Sequence, residues 1–131
     1  MNIVFFGTPE FASPFLDALV GAKDVEVIAV VTQPDKPVGR KHEMKSSAIK
    51  VRAEHHGIQI LQPTSLKKEE IQKQLADLNA DAFVVVAYGK IIPQAVLDIP
   101  AHGCLNVHPS LLPAYRGPSP MQWAIMNGDR E

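Results

Sequence analysis

Ile3-Val4-Phe5-Phe6-Gly7-Thr8-Pro9-Glu10 begins as a β-branched and aromatic run, halts at a glycine and turns at once into a helix start. Thr8 reads as the N-cap, Pro9 as the first helical residue and Glu10 as an acid in the first turn. Phe11, Phe15, Leu16 and Leu19 recur at helical spacing as the inner face, and Gly21 marks the stop. The same alternation then runs along the chain. Residues 25–31 form a second strand, too uniformly apolar for a sheet with one wet face. Residues 33–46 are polar, contain Pro34, Pro37 and Gly39, and read as a loop. A helix over 47–56 ends at Gly57, and 58–61 is a third strand. Ser65 reads as the cap of the next helix, with Glu69 and Glu70 near its start and Ile71, Leu75 and Leu78 inside. Residues 82–87 are a buried strand, 93–97 a short helix, 105–107 a strand and 121–126 a last helical segment. Strands apolar on both faces, alternating with helices, predict a mostly parallel sheet covered on both sides. That is a Rossmann-like, three-layer α/β fold.

At 131 residues the chain is one domain's worth, without repeat or linker. Its 46% hydrophobic and 21% charged residues suit a soluble globular protein. The longest apolar runs are far too short to span a bilayer, so no membrane association is expected. The start has neither the basic residues nor the cleavage site of a secretory signal. Cys104 is the single cysteine, which excludes an internal disulfide and suits a reducing, cytoplasmic setting. It lies in an apolar strand and reads as an inert buried thiol. His42, His55, His56 and His102 read as surface or helix-face residues, and no Cys/His cluster at ligand spacing suggests a metal. A formal net charge of −1 gives no global pull toward nucleic acid. Any RNA contact would need a local patch.

The chemistry concentrates in Cys104-Leu105-Asn106-Val107-His108-Pro109-Ser110-Leu111-Leu112-Pro113-Ala114-Tyr115-Arg116-Gly117. Residues two apart on a strand share a face, so Asn106 and His108 project together. One can donate an amide N–H and the other can exchange a proton near neutral pH. Prolines at 109, 113, 118 and 120 stiffen the loop that follows. A site held in shape is the favoured reading over an ordinary strand end and Pro-rich turn.

Two other segments carry weaker signals. After Gly7 the second and third glycines of a dinucleotide turn are missing, so NAD or FAD binding is disfavoured. Tyr88 and Gly89 follow a buried strand at the edge where open parallel sheets bind ligands. There, freed backbone groups could meet a flat heterocycle, or Tyr88 could merely cap the core with its hydroxyl in water. The residues alone weigh these evenly.

Asn106-x-His108 followed by Ser110-Leu111-Leu112-Pro113-Ala114-Tyr115-Arg116-Gly117 resembles the signature of the folate-dependent formyltransferases, and the resemblance extends over essentially the whole chain. It implies transfer of a formyl group from 10-formyltetrahydrofolate to an amine, with no metal. It also implies that Asn106 and His108 are catalytic and that Tyr88, Gly89, Ser110, Leu111, Leu112 and Pro113 line the folate site. Thr32-Gln33-Pro34-Asp35-Lys36-Pro37-Val38-Gly39-Arg40 is similar to the branch that formylates initiator methionyl-tRNA, with Arg40 at the position that approaches the acceptor end. Lys36, Arg40, Lys41 and Lys45 face only Asp35 and Glu43 nearby, a balance suited to phosphate or simply to solvent. Lys45-Ser46-Ser47-Ala48 departs from the proline-containing stretch of many relatives. The alternatives are a sugar-amine or glycinamide ribonucleotide acceptor, or an inactive folate-binding fragment. The resemblance further implies a truncated domain: residues 1–131 as the N-terminal portion of the catalytic domain, with a catalytic Asp past Glu131 and a tRNA-binding C-terminal domain absent from this chain. No stable protein partner is implied.

Overall fold

A computed structural model describes residues 1–107. The expectations placed on His108, on Ser110, Leu111, Leu112 and Pro113, and on a helix over 121–126 lie outside the described residues.

Strands β1 (Asn2–Gly7), β2 (Glu26–Val31), β5 (Gln59–Leu61), β6 (Ala82–Val86) and β7 (Cys104–Val107) form one sheet in the order β5-β2-β1-β6-β7. Every pairing in it is parallel. Helices α1 (Ser13–Val20), α2 (Ala48–His56), α3 (Glu69–Asp77) and α4 (Gln94–Leu97) make the crossovers. The two-residue period of the strands then sorts the core into two layers. Ile3, Phe5, Val30, Val84 and Val86 point toward Phe15 and Leu16 of α1 and Ile49 and Ala53 of α2. Val4, Phe6, Val31, Phe83 and Val85 point the other way, toward Ile71 and Leu75 of α3 and Val96 of α4. Burying each such side chain contributes about 1.5–3 kcal/mol, so the runs that identified the strands also drive the fold. Among the described residues no helix is long and apolar enough to cross a membrane.

Helix α2 shows how local sequence sets an element's ends. The Ser47 side chain accepts a hydrogen bond from Lys50 N at 3.0 Å, and Gly57 closes the helix at φ 70°. The expectation at Thr8 fails. Its hydroxyl donates instead to the main-chain oxygen of Tyr88 at 2.7 Å, a partner distant in sequence. A 3-10 turn over Glu10–Ala12 intervenes before α1, and its cap position, Pro9, makes no side-chain bond. That turn breaks the helical phase, so Phe11 is exposed rather than buried, its ring centroid 5.6 Å from that of Phe15. Ser65 also misses its expected role. It accepts from Lys67 N, while α3 starts after Lys68 with no side-chain cap.

The polar segment read as a loop contains a hairpin. β3 (Lys36–Val38) pairs antiparallel with β4 (Glu43–Lys45), and all six residues are exposed. His56 is more than a helix-face residue: its Nε2 lies 2.8 Å from Asp17 Oδ1, joining α2 to α1, with Arg52 Nε at 3.5 Å from the same oxygen.

Candidate functional site

β1 has β2 on one side and β6 on the other, and the chain winds outward from β1 in both directions. Such a reversal leaves a crevice at the carboxyl ends of the two central strands, the usual ligand position in open α/β sheets. Gly7 and Thr8 form one lip and Ala87, Tyr88 and Gly89 the other. Gly7 is required by packing: a Cβ there would stand 2.8 Å from the Phe5 ring and 2.9 Å from the Val86 carbonyl oxygen.

The lip after β6 is strained. Ala87 has φ 52° and Gly89 has φ 91°. A non-glycine residue in the left-handed region costs on the order of 1–3 kcal/mol and persists where surroundings enforce it, often beside a binding site. Here the enforcement is visible. The Tyr88 carbonyl accepts from Thr8 Oγ1 and, at 2.9 Å, from the buried Gln33 Nε2. Three strand ends, those of β1, β2 and β6, are thereby tied at one oxygen.

The Tyr88 side chain does not line this edge. It is buried to 2% exposure in the α3–α4 layer, edge-on to Phe6 with centroids 5.6 Å apart. Burial raises its pKa, and its hydroxyl has no hydrogen-bond partner among the described residues. Only the Tyr88 backbone belongs to the edge. At Gly89 the position of a Cβ is taken by the Gln33 amide nitrogen.

Asn106 lies in β7 opposite Val85 and is half-buried. Val107 is buried in the α1–α2 layer, so alternation directs Asn106 to the other face with Val85 and Cys104. Cys104 is half-buried, its Sγ 3.6 Å from the Leu97 carbonyl, and burial with the nearby Asp98 pushes the thiol up to about 11. It is no nucleophile at neutral pH.

Arg40 stands in the exposed four-residue tip of the hairpin, between Gly39 and His42, both at positive φ. Lys36 and Lys45 face each other directly across the strands. Like charges so placed destabilise an isolated hairpin, and an anion would relieve them. The root of the hairpin is tied down. Asp35 accepts from Lys50 Nζ at 3.2 and 3.1 Å and from Gln62 Nε2 at 2.8 Å. The Gln62 bond first, then Lys50, holds the Asp35 carboxyl below its ordinary pKa. Between hairpin and strand ends runs a cleft of about 690 Å³ lined by Thr8, Glu10, Lys45, Ser47, Val51 and Arg52. Gln33, Asp35 and Gln62 were missed as site-shaping residues. The available signal was a polar pair flanking a proline immediately after a buried strand.

The chain is similar to known proteins along its whole length. It is 50% identical over 131 residues to the methionyl-tRNA formyltransferase of Geobacter metallireducens, covering all of this chain and 42% of that protein. To the methionyl-tRNA formyltransferase of Jannaschia sp. it is 57% identical over 129 residues, covering 98% and 42% respectively. It thus spans about two fifths of the length of these curated relatives. In fold it resembles the crystal structure of phosphoribosylglycinamide formyltransferase from Bacillus halodurans, with a TM-score of 0.63, 19% identity, and coverage of 97% of this chain and 66% of that one. The sheet, its switch point and the two helical layers are therefore those of a known architecture, and the family profile for formyl transferases matches residues 1–131: the chain belongs to the formyl transferase family.

Proposed function

We propose that this chain supplies the N-terminal portion of the catalytic domain of a cytoplasmic enzyme of translation initiation. The enzyme transfers a formyl group from 10-formyltetrahydrofolate to the amino group of initiator methionyl-tRNA. The observation that carries the choice of acceptor is the hairpin: an exposed ribbon with Lys36 opposite Lys45 and Arg40 and Lys41 at its tip, beside a cleft that leads to Thr8. A small sugar amine or ribonucleotide has no need of so extended a basic element, whereas a phosphate backbone matches it. Relatives carrying the methionyl-tRNA name at 50–57% identity support the same reading.

In this reading the neutral amine attacks the formyl carbon, and the carbonyl oxygen becomes an oxyanion. The Asn106 amide donates to that oxygen, and His108 manages the amine proton. Collapse breaks the bond to the folate nitrogen, which takes up a proton and leaves. The strained Ala87–Gly89 backbone and the segment Ser110, Leu111, Leu112 and Pro113 hold the folate. No step calls for a metal.

The test is formylation by the full-length protein carrying this chain, with methionyl-tRNA and an amino sugar nucleotide as competing acceptors. Methionyl-tRNA should be the substrate. Arg40→Ala should impair its formylation, with folate affinity unchanged and the salt dependence of tRNA binding reduced. Asn106→Ala should cut turnover about a hundredfold, the usual loss for an oxyanion donor. Formylation of the sugar with none of methionyl-tRNA overturns the proposal.

A further inference from the structure

Gln33 is one of three buried polar side chains among the described residues, with Ser13 and Thr32. A buried amide needs a reason, because a side chain able to donate two hydrogens is costly to remove from water. Its reach is unusual. From the end of β2 it passes over the end of β1 and bonds the Tyr88 carbonyl beyond β6, a strand that β2 does not touch. Its nitrogen fills the space beside Gly89 that any other residue's Cβ would claim.

The same residue is held from the opposite side. Gln62, just after β5, donates through Nε2 to the Gln33 carbonyl at 3.3 Å and to Asp35 Oδ1 at 2.8 Å. Lys50 of α2 grips both Asp35 oxygens. Pro34 lies between Gln33 and Asp35, and its fixed φ, with the extended backbone it imposes on Gln33, makes a stiff two-residue link. Lys36, the first residue of the hairpin, follows immediately. An unbroken line of short bonds and rigid backbone thus runs from the Tyr88–Gly89 edge to the root of the basic hairpin.

We infer that Gln33 is a positioning residue: its amide sets the distance between the hairpin that receives the acceptor and the Tyr88–Gly89 edge that receives the donor. The inference rests on the reading of those two elements given under the proposed function. Two large substrates held by different elements react only when the elements keep their spacing. A displacement near 1 Å can cost on the order of a hundredfold in rate. The exposed hairpin has no core of its own to hold that spacing.

Gln33→Met keeps the side chain's length and removes its donor. Thr8 still bonds the Tyr88 carbonyl, so the fold has no orphaned oxygen to accommodate. Spin labels at Met44→Cys in β4 and Ile91→Cys beyond Gly89, both exposed positions, read the spacing directly in the full-length protein. Gln33→Met should widen or shift that distance distribution, whereas Thr8→Val, which removes the other bond to the same carbonyl, should not. With saturating substrates, kcat for methionyl-tRNA should fall about tenfold or more, while folate Kd and melting temperature stay near the parent's. An unchanged distance distribution in Gln33→Met overturns the inference whatever the activity. So does a lowered melting temperature with parental kcat and spacing, which is what a merely structural glutamine would give. If the parent protein formylates only a small amine, the proposed acceptor is wrong, and the distance measurement still decides on Gln33.

Discussion

Tyr88 belongs to the buried layer of Phe6, Phe83, Leu66 and Val96, its hydroxyl has no bond among the described residues, and burial lifts its pKa because the phenolate would be still worse placed there. A buried group that makes no bond gives up its hydration without return. Tyr88→Phe should therefore leave stability unchanged or raise it by about 1 kcal/mol, as read from urea unfolding, and should leave folate affinity alone. A loss of folate binding would mean that the hydroxyl reaches the ligand after all. The edge reading of Tyr88 was half legible in sequence for a physical reason. Position after a buried strand locates the backbone at the sheet's ligand edge. It does not say whether the side chain turns outward or into the layer beneath, which is settled by the room beside Phe6 and Val96.

At the scale of elements, β1, β2 and β6 were readable because burial on both faces leaves an apolar run, and the half-exposed β5 and β7 because a glycine shortly precedes each short apolar stretch. The hairpin was not, because neither of its strands is buried and Pro37 sits inside one of them, a residue tolerated only in edge or isolated strands. What holds it is at its root, and the Asp35 carboxylate is central there. The fold lowers the pKa of Asp35 below 3.8. Its contribution is then complete above that pH and disappears as pH falls through the lowered value. The side-chain amide signals of Gln62, which bonds Asp35 directly, should stay constant from neutral pH down to about that point and change only below it. In Asp35→Asn the acid transition in those signals should vanish. A transition near pH 6 would assign the root to a histidine instead. The 3-10 turn was hidden for a related reason: Thr8 looks like a cap until its hydroxyl is seen to serve Tyr88, beyond the end of another strand.

Over the whole molecule, the strand order brings the ends of β1, β2 and β6 to one edge and leaves β7 to carry Asn106 beside them. The architecture was deducible from alternation alone, but the tie among the three strand ends was not, since Thr8, Gln33 and Tyr88 are far apart in sequence and share no pattern. Gly7 is hemmed in by the Phe5 ring, the Val86 carbonyl and Ala12. Gly7→Ala should cost about 1–3 kcal/mol by overpacking, measured as a lower urea midpoint with an unchanged slope. Full stability in that variant would show that the sheet can part at its centre.

The shared oxygen also gives the crevice a polarity of its own. A carbonyl oxygen has two lone pairs, and at Tyr88 one is turned to Thr8 and the other to Gln33. To an incoming molecule this oxygen is therefore mute. An amino group on an approaching ring finds no welcome there and must look to a neighbouring residue for its acceptor, while a ring edge made of lone pairs alone meets no penalty. Orientation is in this way chosen by subtraction, through the one contact that the protein has already closed.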